Sequence, residues 1–153
     1  MNILYTSISG NTRAFAKHIQ ELSQAKHQES TDYPIIQVKE IHDNSPLEIE
    51  NEPFFAIVPT YLEGGNGIDN GDQEILTESL RDYIAFDTNA QRCLGVIGGG
   101  NKNFGYQYCL TAQQYAQQFN IPFLADFELR GNPVETEQIY TLLCKCWQET
   151  QTH

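Results

Sequence analysis

MNILYTSISGNT, residues 1–12, joins a short apolar strand to a turn of hydroxyl, glycine and amide residues, and a helical pattern begins directly after it. Such a turn leaves backbone N–H groups unpaired at the start of the helix, where the helix dipole also favours an anion. Gly10 lets a ligand approach the backbone closely. The turn also offers three hydroxyl donors, on Ser7, Ser9 and Thr12. Because it has no Lys or Arg, it suits one phosphate monoester better than a triphosphate with magnesium.

The same turn also fits an ordinary helix start. In that alternative Asn11 or Thr12 caps the helix with its side chain, and no ligand is involved. Taken locally, the residues leave both alternatives open.

Length and charge exclude several classes of protein. A chain of 153 residues is long enough for a substantial core, and we expect a single domain over residues 1–153. The formal net charge of −11, without a basic cluster, argues against nucleic-acid binding, because affinity for phosphates needs a positive face. No apolar run approaches the roughly 20 residues that span a bilayer, and no secretory signal precedes the first strand. We therefore expect a cytoplasmic protein that binds neither nucleic acid nor membrane.

The cysteine and histidine residues predict neither a disulfide framework nor a metal centre. No two cysteines have the CxxC spacing, and no histidine lies near them at the spacing of zinc ligands. We expect buried cytosolic thiols at all four positions, which are Cys93, Cys109, Cys144 and Cys146. The histidines are scattered through polar segments, at His18, His27, His42 and His153. We assign no metal ligand and no catalytic residue.

Apolar patterning along the chain predicts an α/β protein. Short apolar runs predict five strands, at residues 3–5, 34–40, 54–59, 93–97 and 122–129. Apolar residues at helical spacing predict four helices, at residues 12–26, 75–84, 108–119 and 139–147. The segment 41–53 is interpreted as a loop, with room for a helix in residues 43–52. The resulting order, β-α-β-β-α-β-α-β-α with buried strands, predicts a mostly parallel sheet with helices on both faces.

Three loops are expected to meet at one edge of this sheet. Such sheets bind ligands beyond the carboxyl ends of their strands, near the point where the strand order reverses. The loops 7–12, 60–72 and 98–105 meet that description, and all are rich in Gly, Asn or hydroxyl residues. Tyr61 and Phe104 lie in the second and third loops, where aromatic faces are suited to stack on a flat ring. The three loops together predict a site for a phosphate joined to such a ring.

Several segments make the chain similar to a known family. The segment SISGNT at 7–12 matches the phosphate loop of flavodoxins. Four further features resemble the NrdI family: VPTY at 58–61 followed by glycines, GGNKNFG at 99–105, FELRGN at 127–132, and Trp147. The resemblance spans nearly the whole chain. It implies a flavodoxin-like, doubly wound, five-stranded parallel sheet of order 2-1-3-4-5 with helices on both faces.

The resemblance also implies FMN as the cofactor and assigns its contacts by position. The phosphate would be held by Ser7, Ser9, Asn11 and Thr12, with the amides of Ile8 and Gly10. The ring would be bordered near its N5 edge by Thr60, Tyr61, Leu62, Gly64 and Gly65. The pyrimidine side and the outer face would be bound by Asn101, Asn103, Phe104 and Gly105. The loop after Tyr61 departs from the family pattern, because it is long and acidic, with Glu63, Asp69 and Asp72.

The function implied by the resemblance is redox chemistry in deoxyribonucleotide synthesis. NrdI proteins are flavoproteins that reduce O2 at the flavin and deliver superoxide or peroxide to the small subunit of a class Ib ribonucleotide reductase. There the oxidant drives assembly of a dimanganese–tyrosyl radical cofactor, or in related systems of a metal-free radical. The expected partners are the small subunit, an upstream flavin reductant and O2. The protein would thus be an activase and electron-transfer partner, in which the flavin and no catalytic side chain carries the chemistry.

Two other functions are compatible with the same residues. The chain could be a general flavodoxin electron carrier, or a non-enzymatic binding module that kept the fold and lost the cofactor. A hydrolase is disfavoured, because the loops offer no pair of nucleophile and base.

Overall fold

The computed structural model describes residues 1–7, 10–60, 62–63, 73–74, 78–101 and 109–151. Its main sheet has five strands, Asn2–Tyr5 (β1), Gln37–Glu40 (β2), Phe54–Pro59 (β3), Cys93–Gly100 (β6) and Phe123–Glu128 (β7). A small antiparallel pair consists of Leu62–Glu63 (β4) and Gln73–Glu74 (β5). The helices are Asn11–Glu29 (α1), Glu78–Ala85 (α2), Asn89–Arg92 (α3), Leu110–Phe119 (α4) and Pro133–Gln151 (α5). Within the described residues, no helix is both long and apolar enough to cross a bilayer.

The topology of the main sheet confirms the predicted fold class. The strands lie in the order β2-β1-β3-β6-β7, and every neighbouring pair is parallel. Counting only these five strands, the order is 2-1-3-4-5, as in flavodoxin-like folds. The chain leaves β1 toward β2 and then crosses back to β3, so the direction of winding reverses between β1 and β3. In open α/β sheets, the crevice outside that reversal point is the usual ligand site.

The core consists of one apolar layer on each face of the sheet. On one face, β3 contributes Phe55 and Ile57, which are fully buried with residues of α1 and α5. On the other face, its alternate residues Phe54 and Ala56 are buried with residues of α2 and α4. The continuous apolar run of β3 is therefore explained by burial on both faces, since successive side chains of a strand point to opposite sides.

The strand β6 extends beyond its predicted end. The predicted strand ends at residue 97 and is followed by a predicted loop over 98–105, whereas β6 continues to Gly100. Two of its glycines are needed for close approach. A Cβ at Gly98 would lie 2.8 Å from the Cβ of Cys109, and one at Gly99 would lie 2.8 Å from the ring of Phe127. The glycine run is therefore a strand packed tightly beneath α4 and beside β7.

The segment 41–53 contains no helix, although the sequence left room for one in residues 43–52. Its backbone is held instead by Asn89, which is fully buried. The side-chain amide of Asn89 donates to the carbonyl oxygens of Glu48 and Tyr83, each at 2.8 Å, and its oxygen accepts from the backbone N–H of Glu50 at 2.7 Å. Two of these three bonds give partners to backbone groups of the segment, those of Glu48 and Glu50, which have no helical hydrogen bonds.

Other boundaries also differ from the prediction. The helix α5 continues to Gln151, beyond the predicted end at Trp147, and α1 continues to Glu29. Both extensions are polar, and residues such as Gln, Glu and Lys continue a helix readily without any apolar periodicity. The loop predicted over 60–72 contains β4, which pairs with β5. The short helix α3 was not predicted. Residues 75–77 of the predicted second helix lie outside the described residues.

Candidate functional site

The carboxyl ends of β1, β3 and β6 lie side by side at one edge of the sheet. Tyr5, the last residue of β1, is in register with Ile57 of β3, and Pro59 is in register with Gly99 of β6. Just beyond the strand, the backbone N–H of Thr60 donates to the carbonyl oxygen of Gly99 at 3.2 Å. The three predicted loops therefore leave the sheet from neighbouring strands, at the edge where the order reverses.

The start of α1 has the form expected of an anion site. Its N-cap is Gly10, which has φ 94° and makes no side-chain capping bond. The alternative in which Asn11 or Thr12 caps the helix is wrong, because both lie inside its first turn. The hydroxyl of Ser7 accepts a hydrogen bond from the backbone N–H of Arg13 at 3.2 Å. That bond satisfies the third helical N–H, whereas those of Asn11 and Thr12 have no partner within the helix.

The turn before α1 also leaves open space for a ligand. Apart from its two chain neighbours, no atom of the described residues lies within 4 Å of a Cβ placed on Gly10, so they do not fill that side of the glycine. Thr12, in the first turn of α1, is buried. An unobstructed backbone with N–H donors and a hydroxyl fits a phosphate group. The described residues at the start of α1 therefore fit the predicted phosphate.

A second helix begins at the same edge. The backbone N–H of Thr111, in the first turn of α4, donates to the hydroxyl oxygen of Thr60 at 3.4 Å. The side chain of Thr111 is fully buried, and its hydroxyl oxygen has no hydrogen-bond partner among the described residues. The junction therefore links the end of β3 to the start of α4. Sequence reasoning missed Thr111, because an isolated threonine at a helix start carries no motif.

The charges nearest to α1 are arranged as a compact cluster. Arg13 donates to both carboxylate oxygens of Glu40, at 2.7 and 2.9 Å. The Arg13 guanidinium holds the pKa of Glu40 below its ordinary value, and the pairing raises the pKa of Arg13. Burial, with a smaller effect of the Glu40 carboxylate, raises the pKa of Tyr5 to about 12, so its hydroxyl stays neutral. The positive charge of Arg13 is therefore already compensated.

The structure brings together part of the predicted site. Seven of the predicted residues are described, and they lie at the three strand ends: Ser7, Gly10, Asn11, Thr12, Thr60, Leu62 and Asn101. Of Leu62 only the backbone, in β4, is described. The other predicted contacts lie outside the described residues: Ile8, Ser9, Tyr61, Gly64, Gly65, Asn103, Phe104 and Gly105. Their roles stay predictions.

The prediction of buried thiols is confirmed for three of the four cysteines and is wrong for Cys146. All four are free, three are buried, and Cys146 is half-buried. Burial raises the pKa of the Cys93 thiol to about 12, so this group is not a nucleophile at neutral pH. In the part of the chain that the structure describes, no group of three or more His, Cys, Asp or Glu residues is placed to hold a metal ion.

Sequence comparison identifies relatives over most of the chain. Residues 3–141 match the family described as NrdI flavodoxin-like. An NrdI-like protein of Streptococcus pyogenes serotype M18 is 48% identical over 139 residues, which cover 91% of this chain and 89% of that protein.

Structural comparison agrees with the topology. Oxidised Flavodoxin 2 from Bacillus cereus aligns with a TM-score of 0.62 at 15% identity, over 97% of each chain. A flavodoxin mutant from Fusobacterium nucleatum, solved with flavin mononucleotide bound, aligns with a TM-score of 0.59 at 14% identity, over 97% of this chain and 95% of that one. At these identities the likeness shows the fold alone.

Proposed function

The chain belongs to the NrdI flavodoxin-like family. From this membership we propose that it is an FMN-binding flavoprotein that activates a ribonucleotide reductase. In this proposal it reduces O2 and supplies the oxidant for radical cofactor assembly in the small subunit of a class Ib enzyme. It would receive its electrons from an upstream flavin reductant and act as a single domain in the cytoplasm.

One observation of the structure carries the FMN part of the proposal. The N-terminus of α1 lies at the carboxyl edge of the sheet where the strand order reverses, and the space beside Gly10 is open. A phosphate placed there would meet the backbone N–H groups of Asn11 and Thr12 and the Thr12 hydroxyl. The flavodoxin of F. nucleatum, which shares this fold, holds flavin mononucleotide.

The neighbouring strand ends would hold the flavin ring. Thr60 follows β3 and Asn101 follows β6, so both lie at the same edge as the start of α1. We assign to the segments after them the contacts to the N5 edge and to the pyrimidine side. When bound, FMN would supply the electron chemistry, and O2 would take up one electron to give superoxide, or two electrons and two protons to give hydrogen peroxide.

In this proposal the described side chains at this edge bind and orient the cofactor, and neither Tyr5 nor Glu40 is suited to proton transfer. The Tyr5 hydroxyl has a pKa raised to about 12, and Glu40 is engaged by Arg13. The protein would therefore contribute position and a controlled electrostatic environment, whereas the cofactor and O2 carry the reaction.

The proposal is tested by reconstitution with the partner. The protein is loaded with FMN, reduced without oxygen, and mixed with the manganese-loaded small subunit and O2; the tyrosyl radical is then measured by electron paramagnetic resonance. We expect a radical signal that needs both the FMN-loaded protein and O2. The matched control is the same protein stripped of flavin, which should give the signal of the small subunit alone.

The possible results separate the alternative functions. A protein that binds FMN and exchanges electrons with a redox partner, but yields no radical with either a manganese-loaded or a metal-free small subunit, would be a general electron carrier. A preparation that stays colourless and shows no binding of added FMN would overturn the flavoprotein proposal itself.

A further inference from the structure

We propose that Arg130 supplies the positive charge that pairs with the phosphate of bound FMN, and that it thereby makes the site select FMN over riboflavin. The inference rests on the proposed function, because it concerns the same site. It adds a residue from the opposite end of the chain to a phosphate turn that has no basic residue of its own.

Arg130 lies in a tightly shaped turn after β7. The residues on either side of it, Leu129 and Gly131, both have positive φ, 57° and 73°. The backbone N–H of Leu129 donates to the carbonyl oxygen of Gly100 at 2.8 Å, which attaches the turn to the end of β6. The N–H of Gly131 donates to the carbonyl oxygen of Glu128 at 2.9 Å, which closes the turn. The conformation is therefore determined on both sides of Arg130.

The turn is also packed directly against α1. A Cβ on Gly131 would lie 2.7 Å from the ring of Phe15, so only glycine allows this approach. Phe15 in turn stacks on Phe127 of β7, with ring centroids 3.9 Å apart. On the far side, the carboxylate of Glu135 accepts from the backbone N–H of Asn132 at 3.0 Å, and the Asn132 side chain accepts from the N–H of Glu135 at 2.7 Å. These contacts hold the turn beside the first turns of α1.

This position brings the guanidinium of Arg130 to the phosphate turn. Its Nε donates to the side-chain oxygen of Asn11, the first residue of α1, at 3.4 Å. The bond orients the Asn11 amide, because an oxygen that faces Arg130 leaves the NH2 group to donate to another acceptor. A phosphate oxygen at the helix start would be such an acceptor. The remaining N–H groups of the guanidinium would be available to the same phosphate.

The two arginines near this turn differ in their partners. Arg13 is engaged by both oxygens of the Glu40 carboxylate. Arg130 is exposed and makes no ion pair with a carboxylate of the described residues. An arginine that no described carboxylate compensates, beside backbone N–H groups without a partner in the helix, is suited to pair with an incoming dianion. In a chain of net charge −11, such a local cation offsets the repulsion of that dianion.

The predicted consequence is discrimination between two ligands that share the same ring. A phosphate monoester carries about −1.5 to −2 charges at neutral pH, whereas riboflavin has no such group. Losing the Arg130 charge should therefore weaken FMN binding and leave riboflavin binding nearly as it was. A residue that merely stabilised the turn would affect both ligands alike.

The experiment measures dissociation constants for FMN and for riboflavin by quenching of flavin fluorescence. We expect Arg130→Gln to weaken FMN binding by about tenfold, which is typical of the loss of a charge-assisted hydrogen bond, and to change riboflavin binding by less than about twofold. Arg130→Lys keeps the charge and should restore most of the affinity for FMN. Arg92→Gln is the matched control, because it removes an exposed cation at the amino end of β6.

The results separate this inference from the proposed function. Equal weakening of FMN and riboflavin by Arg130→Gln, or no change in either, overturns the role of Arg130 while FMN binding by the unmodified protein stands. Failure of the unmodified protein to bind FMN overturns the proposed function. Thermal unfolding of each variant shows whether the fold is kept, and Arg130→Lys tests the charge even if the glutamine variant is unstable.

Discussion

Gly10 shows how one residue determines the geometry of the candidate site. Its φ of 94° lies in the region that only glycine adopts freely, and it is the N-cap from which α1 begins. Within the part of the chain that the structure describes, and leaving out its two chain neighbours, no atom lies within 4 Å of a Cβ at this position, so packing against those residues does not require glycine. Backbone conformation alone explains the residue, and it leaves the adjacent N–H groups accessible.

Replacing Gly10 should therefore reveal a cost of conformation without a steric clash. We expect Gly10→Ala to lower the free energy of unfolding by about 1–2 kcal/mol, which is the cost of left-handed backbone for a residue with a Cβ. Urea denaturation measures it. Gly10→Asn is the matched control, since Asn tolerates this conformation and can cap the helix, and it should lose less. Equal stability of the alanine variant and the unmodified protein would contradict this explanation.

The pair formed by Arg13 and Glu40 makes a prediction about acid stability. The folded protein lowers the pKa of Glu40, so the pair stabilises the fold above the unfolded pKa of about 4.3 and this contribution is lost as the pH falls through the lower, folded pKa. We expect Glu40→Gln to show a shallower loss of stability below about pH 4.3. At pH 7 it should lose no more than about 1 kcal/mol, because the Arg13 side chain is 56% exposed.

The measurement is urea denaturation at a series of pH values. Glu21→Gln removes an exposed carboxylate elsewhere on α1 and should leave the acid dependence of the unmodified protein. If Glu40→Gln followed the same curve as Glu21→Gln, the pair would have no linkage to folding.

At the scale of single residues, local patterning predicted where α1 begins, whereas the ligand contacts of the residues there stay predictions. Ser7, Gly10 and Thr12 could be identified because a strand, a turn and a helix start follow one another within a few residues. The bonds from Arg13 to Glu40 and from Arg130 to Asn11 could not, since their partners are 27 and 119 residues apart. Such pairs depend on which strands become neighbours, and no local pattern encodes that.

At the scale of elements, the junction between β3 and α4 is the part of the site most open to test. Thr60 accepts a bond from the backbone of Thr111, whose own hydroxyl is buried without a partner among the described residues. Removing the Thr111 hydroxyl removes a buried group that costs free energy because it has no partner. Removing the Thr60 hydroxyl instead leaves the backbone N–H of Thr111 without its acceptor. The two threonines should therefore respond oppositely to the same substitution.

We expect Thr60→Val to lower the free energy of unfolding by about 1 kcal/mol, because it removes the acceptor of the Thr111 N–H. Thr111→Val keeps that N–H and removes only the unpaired hydroxyl, so its stability should equal or exceed that of the unmodified protein. The two variants are measured by urea denaturation without flavin and serve as controls for each other. A larger loss for Thr111→Val than for Thr60→Val would show that the Thr111 hydroxyl has a partner that stabilises the fold.

Elements buried on both faces were predicted well, and those without an apolar pattern were not. The strand β3 is a continuous apolar run, and its predicted bounds are those of the structure. The end of β6 was missed because a run of glycines is typical of a turn. Here the glycines lie in a strand, and their small size lets Cys109 and Phe127 pack against its backbone. The pair of β4 and β5 was missed because two residues per strand are too few to show alternation.

At the scale of the whole molecule, the sequence predicted the layers, whereas the strand order was implied by the family resemblance. Alternating strands and helices predict a mostly parallel sheet covered on both faces, but several strand orders satisfy that pattern. The order β2-β1-β3-β6-β7 places the start of α1 next to the ends of β3 and β6. The site is therefore a consequence of the strand order, and no single segment contains it.

The overall charge makes a final prediction, which concerns the molecule as a whole. A formal net charge of −11 on 153 residues opposes compaction through self-repulsion, and salt screens that repulsion. Raising NaCl from about 0.02 M to about 0.2 M at pH 7 should increase the Tm of the flavin-free protein by about 2–4 °C, corresponding to about 1 kcal/mol.

The same titration near the sequence pI of about 4.6 is the control, because the net charge there is close to zero and salt should no longer raise the Tm. A Tm that falls with salt at pH 7 would contradict the prediction. It would mean that ion pairs such as Lys39 with Glu50, whose atoms are 3.1 Å apart, outweigh the general repulsion. Since both effects are screened by salt, the sign of the change shows which of them dominates the fold.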